Sequence, residues 1–455
     1  MDVKQVFQSQ KEYFLTHETL SYEFRRKMLI KLKDSIKRNE ALLLEALKKD
    51  LNKSSQEAYM TEIGLVYEEI SHSLKHLKRW MKRDVVSTCL AAFPSRSYIY
   101  KEPYGVTMIM SPWNYPFLLT IQPLVGAIEG GNTCMIRPSS QTKNVTEVIE
   151  KIINEEFDSK YLCCVKGGRD IADILLDLDF DLIFFTGSPN IGKKVLAHAA
   201  NNLTPCVLEL GGKSPCIVTK SCDLRIAARR ILFGKAVNAG QTCVAPDYLL
   251  IDESIKDDFI KLFKEEIKIQ FNGEFIENEE FPKIVNEKNV LRLKELIEAE
   301  KDHLILGGKC SETKVELTLV DATFKSKVME DEIFGPILPV ITFSSIDEVI
   351  NEVNARQTPL ALYIYSSDKK EINRVFEQVR FGAGCANDCL MHLSNNALPF
   401  GGLKQSGMGQ YHGKKSFDTF THAKGILDHK TYLDLSLRYH PYSNKKEKMI
   451  RKVVK

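Results

Sequence analysis

Between residues 105 and 210, short apolar segments at 106–110, 133–136, 161–165, 182–185 and 206–210 are separated by stretches of helical character at 117–128, 145–157, 171–176 and 191–200. This alternation restricts the fold more than any other feature of the chain. Short, continuous apolar runs bounded by turn residues read as strands covered on both faces. Strands that alternate with helices specify a parallel sheet with helices on either side. The expected class is α/β.

The Gly211-Gly212 pair punctuates the series, and a second α/β region follows. Helices are expected at 223–233 and 255–263, and strands at 245–251, 338–343 and 360–365. Ser345-Ile346-Asp347-Glu348 has the form of a capping box opening a helix to Asn354. Residues 382–387 read as a strand running into a loop. Residues 398–413 hold five glycines, too many for a regular element. The first 80 residues are mainly helical. Met28, Leu29, Leu32 and Ile36 share one face, and the simple reading is a helical layer covering something else. Residues 86–101 mix polar and β-favouring residues, as in an exposed hairpin or arm. The segment after Pro441 is basic with little apolar mass and reads as a solvated tail.

A chain of 455 residues exceeds one ordinary core, so two or three domains are expected. The net charge of +3 does not call for nucleic acid or an anionic membrane. No apolar run reaches transmembrane length, and Met1-Asp2-Val3-Lys4-Gln5 does not open a signal peptide. Eleven cysteines without a CxxC pair fit a reducing, cytoplasmic compartment. No His/Cys/Asp cluster has zinc spacing, so no metal is expected.

The chemistry concentrates in a few segments. Cys243 lies in Gly240-Gln241-Thr242-Cys243-Val244-Ala245-Pro246 and is either a nucleophile or an inert buried cysteine; its polar, glycine-containing setting mildly favours the first. A thiol needs only partial activation to attack a carbonyl. Glu209 stands before the glycine pair; partial desolvation would make it a base for water or for the thiol. Asn114, in Ser111-Pro112-Trp113-Asn114-Tyr115-Pro116, is either a rigidly held oxyanion donor or a hydrogen-bonding residue of a structural turn. Thr186-Gly187-Ser188 sits between a strand and a helix, where backbone amides can face an anion; an ordinary strand–helix turn reads the same way. Arg137 ends a strand and is either a ligand contact or a solvated arginine.

Taken together, these segments resemble the aldehyde dehydrogenase family. The match comprises Leu208-Glu209-Leu210-Gly211-Gly212-Lys213-Ser214-Pro215, Gly240-Gln241-Thr242-Cys243, the Ser111–Pro116 turn, Phe185-Thr186-Gly187-Ser188, Glu332-Ile333-Phe334-Gly335-Pro336 and the glycine-rich 398–409 segment. The motifs keep the family's order over residues 105–425. Cys243-Val244-Ala245-Pro246-Asp247-Tyr248 and residues 409–417 resemble the class 3 branch, which includes fatty and aromatic aldehyde dehydrogenases.

The resemblance implies oxidation of an aldehyde, medium- or long-chain aliphatic or aromatic, to an acid with NAD or NADP. Cys243 would be the nucleophile, Glu209 the base that activates the hydrolytic water, and Asn114 with the Cys243 N–H the oxyanion donors. Trp113, Arg137, Ser140, Thr186, Gly187, Ser188, Gly211, Glu332 and Phe334 would bind the cofactor, and Lys213 would be structural. The family usually carries lysine at Arg137 and glutamate at Ser140. A cation without a nearby carboxylate implies NADP use alongside NAD.

The implied architecture is a Rossmann-like NAD(P) domain (1–84 with 102–210), a catalytic domain (211–418), bridging segments (85–101 with 419–436) and the basic tail (437–455). A homodimer without membrane insertion is implied, with no nucleic acid. Residues 385–396, with Cys389 and Met391, would border the substrate pocket, with His392 exposed. A CoA-acylating dehydrogenase, a thioester hydrolase and a silent binding protein on the same fold are the alternatives.

Overall fold

In the computed structural model, which describes residues 2–454, three sheets organise the chain. The first has six strands in the spatial order Gly407–Met408, Cys206–Leu210, Leu182–Gly187, Val106–Met110, Thr133–Arg137, Leu162–Cys164. All pairings are parallel except that of Gly407–Met408. The chain starts at the Val106–Met110 strand, moves outward on one side, then returns to the other side. The order therefore reverses next to Val106–Met110, and the crevice at its carboxyl end is where open α/β sheets take ligands. The Ser111–Pro116 turn and the Thr186-Gly187-Ser188 turn both leave the sheet there.

Side-chain alternation explains how this sheet is covered. Val106, Met108 and Met110 pack on one face with Val3 and Phe7 of the helix Val3–Phe14, while Ile109 points into the larger core on the other. That face receives Leu118–Gly130, a helix buried along its whole length. The helices Tyr22–Arg38 and Gly64–Trp80 pack outside it, and Glu40–Leu51 packs against the neighbouring helix Lys143–Asn154, each burying one face.

The second sheet has seven strands, ordered Leu304–Leu306, Thr318–Asp321, Ile337–Phe343, Tyr248–Asp252, Pro215–Val218, Ala361–Tyr365, Ala383–Ala386. Only Leu304–Leu306 is antiparallel. The expected 245–251 strand starts three residues later, because Thr242–Pro246 forms a turn. The Ser345 hydroxyl accepts the Glu348 N–H at 3.3 Å, but the return bond from Glu348 goes to the Ser344 N–H rather than to Ser345. The third sheet joins Asp84–Val86, Ser95–Pro103 and Thr421–His429 in antiparallel register, with Ser95 opposite His429 and Pro103 opposite Thr421. Most of Thr421–His429 is exposed or half-buried.

One expectation needs correction. His392 is buried, not exposed. The short turn Met391–Ser394 tucks its ring beside Tyr363 and Phe400, with Nδ1 3.4 Å from the Cys385 Sγ. The basic tail, expected to be solvated, carries a helix. Ser443 caps a helix, Asn444–Val453, by accepting the Lys446 N–H, although the described side chains of that helix remain largely exposed. Among the described residues no helix is long and apolar enough to cross a membrane.

Candidate active site

The second α/β unit delivers the cysteine through a strained turn. The helix Leu224–Ala236 ends in a kink where Asn238 (φ 50°, ψ 28°) and Ala239 (φ 51°, ψ 37°) are both left-handed. Each costs about 1–2 kcal/mol for a residue with a Cβ. Asn238 is tied down in return: its N–H donates to Glu57 Oε1 at 2.8 Å, and its Nδ2 to the Asn114 and Gln241 carbonyls at 2.8 and 3.0 Å. Gly240 follows at φ 70°, and a Cβ there would lie 2.4 Å from the Gly335 carbonyl oxygen, so only glycine fits.

Cys243 emerges from this turn half-buried. Burial pushes its thiol up, and the carboxyls of Glu332 and then Glu209 push it further. The backbone N–H groups of Cys243 and Val244 oppose the rise, so both face the sulfur. Glu209 comes from the first sheet, in register with Thr186 on one side and Gly407 on the other. It is 3% exposed, and neither carboxyl oxygen has a hydrogen-bond partner among the described residues. Burial alone holds its pKa well above the carboxylate range. Asn114 is buried, and its Nδ2 donates to the Gln241 carbonyl at 3.0 Å, which binds the turn after the first strand to the cysteine segment. Tyr115 reinforces the link through a 2.6 Å contact with the Thr242 hydroxyl.

A cleft of about 660 Å³ takes its walls from both larger sheets, with neither Cys243 nor Glu209 in its lining. Gly211, Gly212, Glu332, Lys193 and Met408 are among its lining residues. Glu332 is held near 8, raised by burial and by Asp247 and lowered by the Gly212 N–H, Lys213 and Lys235. Its Oε1 has no partner among the described residues. Phe334, left-handed at φ 47°, meets Trp113 edge to face at 5.3 Å. Thr186 is buried, and its hydroxyl has no hydrogen-bond partner among the described residues. The helix Pro189–Asn202 starts here without a side-chain cap from Ser188; Pro189 has no N–H, and the Ile191 and Gly192 N–H groups donate to the Ser188 carbonyl at 3.1 and 2.9 Å. Lys213 donates to Asp247 and to the Val328 and Asp331 carbonyls, tying the Glu332 loop to the Glu209 motif. Arg137 spends its Nη2 on the Gly167 and Gly168 carbonyls at 3.0 and 2.9 Å. Ser140 is exposed nearby in sequence, and neither residue lies in the wall of the cleft.

An uncapped helix start at the sheet's switch point, an orphaned carboxylate oxygen and an orphaned hydroxyl suit a dinucleotide with a pyrophosphate and ribose hydroxyls. Among the described residues no group of three His, Cys, Asp or Glu could hold a metal ion. Sequence reasoning missed several residues around the site: Lys53, Glu62, Asn238, Asp247 and the buried Lys235, which has no hydrogen-bond partner among the described residues and whose ammonium burial lowers to about 8. Lysines and glutamates of this kind look like surface residues in a sequence. Only the left-handed Asn238 carries a local hint, because asparagine tolerates that conformation.

The family model described as the aldehyde dehydrogenase family matches residues 1–426. The chain belongs to the aldehyde dehydrogenase family. It is an NAD(P)-dependent oxidoreductase that converts aldehydes to acids. Over 446 residues it is 46% identical to 4,4'-diaponeurosporen-aldehyde dehydrogenase of Staphylococcus aureus, covering 97% of each chain. It is 39% identical to the dimeric NADP-preferring aldehyde dehydrogenase of Canis lupus familiaris, covering 96% of this chain and 98% of that one. The substrate-bound structure of Staphylococcus aureus AldH superposes with a TM-score of 0.97 at 45% identity over the whole of both chains.

Proposed function

We propose that this aldehyde dehydrogenase oxidises apolar aldehydes, medium- or long-chain aliphatic or aromatic, through a thioester on Cys243 that water hydrolyses. One observation carries the reading: a half-buried cysteine whose sulfur faces the Cys243 and Val244 N–H groups shares its surroundings with the buried Glu209 carboxyl, which has no hydrogen-bond partner among the described residues.

Sγ attacks the carbonyl carbon. The C–S bond forms, the carbonyl pair moves onto oxygen, and the thiol proton leaves to a base. The Asn114 amide and the Cys243 N–H stabilise the oxyanion. The dinucleotide, when bound, supplies the acceptor for the hydride of that carbon. Glu209 then takes a proton from water, whose oxygen attacks the thioester carbon. The C–S bond breaks, the sulfur leaves with the pair, and the acid departs. A carboxyl raised by burial is a stronger base than a solvated one, which suits Glu209 to this step. Glu332 would accept the nicotinamide ribose hydroxyls, with Trp113, Phe334 and Gly211 around it. Thr186, Gly187 and Ser188 would hold the pyrophosphate at the helix start, and Arg137 with Ser140 the adenosine side.

Use of NADP beside NAD is supported by Arg137 and the missing carboxylate at Ser140, and by the named preference of the canine relative. A homodimer joined through the exposed third sheet is supported by that relative's name, and sedimentation would test it. Eleven free cysteines support a cytoplasmic location.

The test is a panel from acetaldehyde to hexadecanal, with benzaldehyde, following NADH, NADPH and acid without CoA. A chain-length optimum with one acid per reduced cofactor is expected. Turnover only when CoA is added would transfer the protein to the acylating class.

A further inference from the structure

An ion pair inside the N-terminal helical layer reaches the turn that carries Asn114. Lys53 and Glu62 are both wholly inaccessible, with Nζ 2.6 Å from Oε1. Lys53 lies between the helices Glu40–Leu51 and Ser55–Ala58, and Glu62 in a π-helical turn, Tyr59–Ile63. The second carboxyl oxygen of Glu62 accepts the Phe117 and Leu118 N–H groups at 2.9 and 3.1 Å. The Lys53 ammonium donates to the Asn114 carbonyl at 3.2 Å and stands 3.9 Å from the centre of the Tyr115 ring. From the opposite side, Asn238 donates to the same carbonyl. Among the described residues the side-chain hydrogen bonds of the pair outside itself fall on residues 114, 117 and 118, and the buried Glu57 carboxyl interacts electrostatically with both partners.

A fully buried ion pair is seldom more stabilising than apolar residues of equal volume, because two charges must be desolvated. Stability is therefore a poor account of this one. Its distinctive effect is geometric: two buried charges meet four points of one short turn, the Asn114 carbonyl, the Tyr115 ring and the Phe117 and Leu118 N–H groups. The turn carries the Asn114 amide. One hydrogen of that amide is spent on the Gln241 carbonyl, which orients the group and leaves the second hydrogen for a ligand.

We propose that Lys53 and Glu62 are positioning residues of the oxyanion site. By fixing the Asn114 backbone, they keep the Asn114 amide where charge develops on a substrate attached to Cys243. This rests on the reading of Asn114 as an oxyanion donor. The N-terminal layer is thus part of the reaction geometry as well as a cover for the sheet.

The test uses the full-length enzyme with Lys53→Met, Glu62→Gln, Asn114→Ala and Asn114→Ala combined with Lys53→Met. Rates are expressed per active site, counted by iodoacetamide alkylation of the Cys243 peptide. Lys53→Met and Glu62→Gln should each lower kcat/KM for the aldehyde by about 10- to 100-fold, somewhat less than loss of an oxyanion donor outright. The KM for NAD and the alkylation rate of Cys243 should stay within about twofold. In the Asn114→Ala background, Lys53→Met should add less than about threefold. A purely structural role would instead reduce the number of titratable sites and leave kcat per site intact, which overturns the proposal. Multiplying effects in the double variant also overturn it. Full kcat in Asn114→Ala would remove the oxyanion reading and the proposal together. An impaired Asn114→Ala beside unimpaired Lys53→Met and Glu62→Gln would remove the proposal alone. If Lys53→Met does not fold, Glu62→Gln decides by the same criteria, since it keeps the shape and an acceptor toward residues 117 and 118.

Discussion

Gly211→Ala isolates the contribution of Glu332 to cofactor binding. A Cβ at position 211 would lie 2.0 Å from Glu332 Oε2, 2.7 Å from Cδ and 2.7 Å from Oε1. The backbone of Gly211 is not left-handed, so alanine strains nothing there; the clash is with the carboxyl alone. That carboxyl ends a flexible side chain, so the protein should fold with Glu332 rotated out of place. At an assay pH of about 9, where a carboxyl held near 8 is ionised, losing a charge-assisted hydrogen bond to a ribose hydroxyl costs about 1.5–3 kcal/mol, or roughly 10- to 150-fold in binding. The assay is the initial rate against NAD concentration at saturating aldehyde, with NAD affinity followed by fluorescence titration. Gly212→Ala is the comparison, because its Cβ would meet nothing closer than 3.5 Å. The expected result is a KM and Kd for NAD raised by that factor in Gly211→Ala and by less than about threefold in Gly212→Ala. An unchanged Kd in Gly211→Ala would refute the placement of Glu332 on the cofactor.

Two further perturbations address stability and cofactor choice. Burial lowers His392 to about 4 and, with His392 beside it, His412 to about 3, so both are neutral in the fold. The unfolded chain binds these protons near pH 6.5, so their stabilisation is complete above that pH and is lost as pH falls toward 4. Each contributes about 1.4 kcal/mol per pH unit in that window. His392→Leu should flatten the acid side of the Tm-against-pH curve, and an unaltered slope would show that His392 is not buried neutral. Ser140→Glu restores a carboxylate near Arg137 and should raise the NAD-over-NADP ratio of kcat/KM by roughly tenfold, the effect of about 1.4 kcal/mol of added repulsion. A ratio that does not move would place the adenosine phosphate elsewhere.

The strand–helix alternation between 105 and 210 was readable because each strand is buried on both faces and so is continuously apolar. The strands Val106–Met110, Leu182–Gly187 and Cys206–Leu210 all stand where the apolar runs predict them. Motif context singles out Cys243, Glu209 and Asn114 as candidates, although nothing in their spacing shows that Glu209 of one sheet and Cys243 of another turn share an environment. Residues whose meaning comes only from tertiary placement were not readable. Lys53 and Glu62 sit in amphipathic sequence that looks like any surface helix, and only the structure reveals their complete burial. His392 lies in a polar loop segment, and its burial comes from aromatic neighbours distant in the chain. Phe334 requires a positive φ that its residue type does not advertise.

The central claim is that the acyl group passes through Cys243 and leaves by water that Glu209 activates. Pre-steady-state reaction of Glu209→Gln with aldehyde and NAD, quenched in acid and examined by intact-protein and peptide mass spectrometry, tests it most directly. The account predicts a burst of about one NADH per active site and an acyl adduct on Cys243, with slow steady-state turnover afterwards. No adduct on Cys243, or a Glu209→Gln enzyme that turns over at the unmodified rate without a burst, would contradict it.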